Sequence, residues 1–169
     1  MDEITIKRRI PIDSLHLHKG LRKHILRKIK VLTKDECSSD HGYILEVLSL
    51  KDIISSVVAP GTLENIFVVT FTAKVIKPEP GNIVKGVVWK VCEDGVFVLV
   101  ADKFKVMVSE DEFDDLGYTK HPDGYEKDDD VIQVGSMVDV EIQHVRYECS
   151  KKQFSTIGTL TEQSKDNRE

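Results

Sequence analysis

Gly81-Asn-Ile-Val-Lys-Gly-Val-Val-Trp-Lys-Val-Cys-Glu-Asp-Gly-Val-Phe-Val-Leu-Val100 is the stretch on which the reading of this chain turns. A glycine opens a β-branched run. A short acidic turn at Glu93 and Asp94 interrupts it, and a second run restarts at Gly95. The first hairpin of a small, strongly coiled β-barrel is written this way. Such barrels hold single-stranded nucleic acid more often than they perform chemistry. Alternation sends Val96, Val98 and Val100 to one face and Phe97 and Leu99 to the other. The valines suit a barrel interior. An outward phenylalanine offers a stacking surface to any base.

Downstream, strands are expected over 83–92, 95–101, 104–109, 137–146 and 153–159, the five strands of an OB-fold. Between the third and fourth lies an insertion, 110–136, with Glu110, Asp111, Glu112, Asp114, Asp115, Glu126, Asp128, Asp129 and Asp130. It lacks the ligand order of a calcium loop and reads as a solvated acidic run. From Thr161 the chain reads as a disordered tail, 161–169.

Upstream, Ile4, Ile6, Ile10 and Ile12 share one parity and predict a strand. Leu15 and Leu17 continue the apolar pattern. Leu21, Ile25, Ile29 and Leu32 then recur at helical spacing, with Arg22, Lys23, Arg27, Lys28 and Lys30 on the other faces. Tyr43 to Leu50 predicts a strand, Ser55 and Ser56 a loop, Ala59-Pro-Gly61 a turn, and Ile66 to Ile76 a long strand. Pro78-Glu-Pro-Gly81 stops the pattern, because neither proline can donate to a ladder. The expected organisation is α+β: a strand–helix–strand unit over 1–80, then an OB-fold over 81–160.

Charge divides along the same line. Residues 1–80 carry 13 Lys/Arg and 10 Asp/Glu, net +3, whereas 81–169 carry 11 and 19, net −8. Phosphate contacts need local positive charge, so the acidic half argues against simple electrostatic binding. Three scattered cysteines, Cys37, Cys92 and Cys149, form no paired motif and fit a reducing compartment. No apolar run reaches membrane-spanning length, and no secretory leader is read at the N-terminus.

Motifs for chemistry are missing from the sequence. It has no phosphate-binding loop, no GxGxxG, no GxSxG and no HExxH, and its six histidines are scattered. His16 and His18 share a strand face, and Cys37 and His41 share a loop; neither pair makes four ligands. The expectation is no catalytic residue, no metal and no cofactor. For single-stranded RNA the candidates are Trp89, Phe97 and Phe104 as stacking surfaces. Lys90, Lys103, Lys105, Lys151 and Lys152 would follow the backbone. The aromatics equally suit packing against a protein neighbour.

Four further segments carry a resemblance. They are His41-Gly-Tyr-Ile-Leu-Glu-Val47, Ile54-Ser-Ser-Val-Val-Ala-Pro-Gly61, Val69-Thr-Phe-Thr-Ala-Lys-Val-Ile-Lys-Pro-Glu-Pro-Gly81 and Phe154-Ser-Thr-Ile-Gly-Thr-Leu160. In this order and spacing the chain resembles the stalk subunit of multisubunit DNA-directed RNA polymerases. That is the seventh subunit of eukaryotic RNA polymerase II, together with its archaeal counterpart. The resemblance runs from about Ile4 to Leu160 and fits a divergent member, whether cellular or encoded by a large DNA virus. It implies a non-catalytic role in transcription initiation, with the first unit as a tip domain docking on the large core subunits. Ile54, Val57, Val58, Pro60 and Gly61 would make that contact. It also implies a fourth-subunit-like stalk partner, weak contact with nascent single-stranded RNA, and no membrane partner. The location implied is the nucleus in a eukaryotic cell, or cytoplasm or virion for a large DNA virus, and not secretion. Ser55 and Ser56 stand where relatives often carry glycine, and the apolar ending that follows the last motif is replaced by polar residues. The alternative reading is a freestanding OB-fold RNA-binding protein of the exosome-cap or translation-factor type.

Overall fold

A computed structural model of the chain describes residues 2–13, 20–58, 60–61, 63–128 and 130–161. The readings at Leu15, Leu17, His16, His18 and Ala59, and the tail beyond Thr161, lie outside these residues. The chain divides into two compact units, Met1–Lys77 and Pro78–Glu169. It is mostly β, with two helices among the described residues, so α+β gives helix too much weight. Neither helix is long and apolar enough to cross a membrane.

Unit 1 contains β1 (Asp2–Asp13), α1 (Leu21–Leu32), β2 (Cys37–Ser38), β3 (Gly42–Val58) and β4 (Glu64–Ile76). They form an antiparallel sheet in the order β1-β4-β3-β2. The isoleucine parity of β1 places Ile6 opposite Phe71 and Ile10 opposite Phe67, on the face covered by α1. Ile25 and Ile29 are fully buried there, while Leu32, expected on the same face, stays half exposed. The helix ends at Thr33, whose hydroxyl and backbone N–H both donate to the Ile29 carbonyl, at 2.7 and 3.0 Å.

β3 corrects the sequence reading. It runs unbroken to Val58, so Ser55 and Ser56 are strand residues opposite Val68 and Phe67, not a loop. Register shifts fall at Ile44/Glu46, Val47/Ser49, Leu50/Asp52 and Ile53/Ser55. Each bulge adds one residue per two, so the inward side repeats every three residues: Ile44, Val47, Leu50 and Ile53. That period matches neither strand nor helix templates, which is why the sequence pattern predicts a shorter strand.

Beside this sheet, the Arg8 guanidinium grips the Glu36 carboxylate with both terminal nitrogens, one of them at 2.8 Å from Oε2. His41 Nε2 lies 3.6 Å from the same carboxylate, and its Nδ1 is 2.8 Å from Ser38 Oγ. Ser38 Oγ also accepts from the His41 backbone N–H at 3.2 Å. Together these contacts tie the β2–β3 hairpin to β1.

Unit 2 contains β5 (Ile83–Cys92), β6 (Gly95–Val100), β7 (Phe104–Ser109), α2 (Glu110–Asp115), β8 (Thr119–His121), β9 (Gly124–Lys127), β10 (Asp130–Gln133), β11 (Met137–Glu148) and β12 (Gln153–Leu160). β11-β12-β7-β6-β5 close into a barrel, with β12 and β7 parallel and β11 returning to β5. Val88, Val96, Val98, Val106, Val108, Val140 and Ile142 fill it. Gly86 is required inside. A Cβ there would lie 2.6 Å from Val98 Cγ1 and 2.7 Å from the Leu99 carbonyl oxygen. At Gly95 a Cβ would lie 2.1 Å from the Val108 carbonyl oxygen.

The acidic insertion is a second correction. Residues 110–136 are not a solvated run. α2 is followed by the antiparallel sheet β10-β9-β8. Phe113 stacks on Tyr125 at 4.0 Å between centroids and meets Tyr118 edge-on at 5.7 Å, and Ile132 is buried with them. Asp111, Asp114, Asp115, Glu126 and Asp128 are exposed, and Glu110, Asp111 and Glu112 occupy the first turn of α2, where the helix dipole favours them.

Candidate nucleic-acid interface

The site is built by strand parity. Because Val96 and Val98 point inward, Phe97 between them points out; Met107 does so between Val106 and Val108, and Ile157 between Thr156 and Gly158. Register aligns these residues. Lys90 pairs with Phe97, Phe97 with Met107, Met107 with Ile157, and Ile157 with His144. The result is one outward row across five strands. A neighbouring row runs Val87, Leu99, Lys105.

A bulge between Val88 and Lys90 turns Trp89 outward as well, where it is 47% exposed. Lys105 Nζ sits 3.5 Å from the centroid of its ring, a cation–π contact. Phe97 and Ile157 therefore present apolar surface beside Lys90, and Trp89 presents a ring with Lys105 over one of its faces. Bases can stack on such a face while ammonium groups meet the phosphates.

Phe104 does not belong to this face. It shares the inward parity of Val106 and Val108, is 2% exposed, and closes one end of the barrel opposite Val100. Lys103 lies in the β6–β7 turn, where Ala101 and Asp102 take left-handed φ values of 54° and 56°. Lys151 and Lys152 lie in the β11–β12 turn, and Lys151 Nζ is 3.3 Å from Glu148 Oε2. Because β7 and β12 are parallel, Lys103, Lys105, Lys151 and Lys152 gather at the end where both strands start.

The opposite end is acidic. Glu110 donates its backbone N–H to the Asp94 carbonyl at 2.8 Å, which sets α2 against the β5–β6 turn. Glu93, Asp94 and the α2 carboxylates meet there, and Lys120 Nζ spans the Glu93 carbonyl at 2.6 Å and Glu110 at 3.5 Å. Glu93, Asp94, Glu110, Asp111 and Glu112 thus lie about 17 Å along β7 from the lysine end, at ~3.3 Å per residue. Local positive charge survives in an acidic unit.

Met107, Ile157 and His144 carry no signal in the sequence alone. What places them is register, which links residues about 50 positions apart only once β7 and β12 are known to be neighbours.

The residues that the resemblance assigned to polymerase contact lie in unit 1, at the loop end of the β3–β4 hairpin. Ile54, Val57 and Val58 are 54%, 60% and 68% exposed, with Pro60 and Gly61 in the turn. Leu63, absent from the sequence reading, is 78% exposed beside them. Unit 1 thus exposes four large apolar side chains around this hairpin end.

A family model described as S1 RNA binding domain matches residues 77–157. Over 94 residues, 56% of this chain, the sequence is 26% identical to DNA-directed RNA polymerase II subunit RPB7 of Glycine max. The chain spans about half of that relative's length, 53%. Among solved structures, the apo form of Mycoplasma genitalium RNase R superposes with a TM-score of 0.38 at 15% identity, over 48% of this chain and 13% of that one. The S1 match runs from the start of the barrel well into its last strand, and it supports RNA binding by unit 2.

Proposed function

We propose that this chain is a non-catalytic, RNA-contacting subunit of a DNA-directed RNA polymerase, of the stalk type. The outer barrel face would take single-stranded RNA on Trp89 and Phe97, with Lys90 and Lys105 against its backbone. The β3–β4 hairpin end would dock on the large polymerase subunits through Ile54, Val57, Val58, Pro60 and Gly61, and a fourth-subunit-like chain would complete the stalk. The observation that carries the RNA part is the outward Lys90–Phe97–Met107–Ile157 row, with the bulged Trp89 exposed next to Lys90, on a barrel that matches S1 RNA-binding domains. The polymerase part is supported by the likeness to the Glycine max subunit and by the apolar hairpin end, which monomeric proteins rarely expose.

The S1 match alone fits a freestanding RNA-binding protein equally well. Affinity purification of the tagged chain from its source separates the two. The stalk reading expects large polymerase subunits to co-purify with the wild type and to be lost with Val57→Asp/Val58→Asp. Their absence from the wild-type sample leaves the freestanding reading.

A further inference from the structure

α1 carries five cations, Arg22, Lys23, Arg27, Lys28 and Lys30, and no carboxylate. Two of them turn back to the sheet: Lys28 Nζ donates to the Pro11 carbonyl, and Arg22 Nη2 reaches the Leu50 and Lys51 carbonyls at 3.5 Å. The remaining three, Lys23, Arg27 and Lys30, are exposed and follow one another at spacings of four and three. At 3.6 residues per turn they fall on one stripe, opposite the buried Ile25 and Ile29. Among the described residues, none of the ion pairs involves Lys23, Arg27 or Lys30.

We infer that this stripe is a second RNA contact, separate from the barrel face, which holds the phosphate backbone of a single strand without reading its sequence. Successive cations rise about 4.5–6 Å along the helix, comparable to the step between phosphates in an extended strand. Like charges at three- and four-residue spacing repel, so the row costs stability unless an anion lies along it. A membrane surface is a poorer fit. An interfacial helix must offer its apolar face to lipid, and Ile25 and Ile29 are already buried against the sheet. RNA is favoured over other polyanions because the same chain carries a barrel matching RNA-binding domains.

The test is fluorescence anisotropy of a labelled oligouridylate with the full chain, titrated at several KCl concentrations. Lys23→Gln/Arg27→Gln/Lys30→Gln should weaken binding about tenfold at moderate salt. It should lower the slope of log affinity against log salt by about 2, since each phosphate contact on a single strand contributes ~0.7. Single Lys23→Gln and Arg27→Gln variants should each lower it by about 0.7. Glutamine is a good helix former and the side chains are exposed, so circular dichroism should match the wild type. An unchanged slope overturns the inference. So does tighter binding to duplex DNA, to an acidic peptide or to anionic vesicles than to the oligouridylate. Phe97→Ala should weaken binding and leave the slope intact, so failure of the barrel face and failure of the helix stripe give different signatures.

Discussion

Phe97 and Phe104 sit seven residues apart and would look alike to any composition count. The turn at Ala101–Lys103 separates their parities: one faces out from β6, the other is 2% exposed inside β7. Truncation should therefore have opposite signatures. Phe104→Ala leaves a cavity in the barrel and should cost about 3–5 kcal/mol in urea denaturation. Phe97→Ala should cost under ~1 kcal/mol and act on RNA binding instead. Tyr125 is another residue whose environment decides. Its ring is buried, and its hydroxyl has no hydrogen-bond partner among the described residues. Tyr125→Phe should leave the denaturation midpoint unchanged or raise it, and a clear drop would reveal a partner.

The same tyrosine sets an alkaline limit. Burial, then repulsion from Glu110 and Asp114, pushes its phenol above the ordinary 10.0, and burial pushes the Cys37 thiol above 9.0. Raised values mean that the unfolded chain sheds these protons first. Their contribution is fully present below about pH 9 and is lost as pH rises through the folded values. Thermal melts between pH 8 and 11 should show that decline, and Tyr125→Phe should flatten its upper part. A decline identical in the variant would exclude Tyr125 as a source.

At the scale of the element, β3 is the instructive case. Val47 lies on the inward third of its three-residue repeat at 5% exposure, and the next residue, Leu48, is an unpaired bulge residue at 38%. Val47→Ser should cost more than ~2 kcal/mol and Leu48→Ser under ~1 kcal/mol, although the two are adjacent apolar residues. Equal losses would mean that the strand is regular and the bulges misplaced. The isoleucine alternation of β1, the helical spacing of α1 and the valine runs of β5–β7 are readable in the sequence, because one period holds from end to end in each. β3 is not, because its bulges change the period. The insertion is not, because Phe113, Tyr118 and Tyr125 are spaced too irregularly to declare a core among so many carboxylates.

Across the whole molecule, charge sorting reconciles a net charge of −5 with a nucleic-acid-binding role. Sequence counts average the lysine end and the acidic end of one barrel into a single unfavourable number. The pairing of β7 with β12 separates them. Part of the outward face is legible in the sequence, Trp89 and Phe97 with Lys90 and Lys105, because those residues lie in consecutive strands. Met107, Ile157 and His144 join it only through long-range register.

Binding of single-stranded RNA by this outer face is the central claim. It is tested most directly by titrating a labelled oligouridylate with the full chain and with Trp89→Ala/Phe97→Ala, after matched thermal melts establish that both are folded. Stacking is worth about 1–3 kcal/mol per base, so the double variant should bind with a dissociation constant at least tenfold weaker. Equal affinity in the two proteins would contradict the claim.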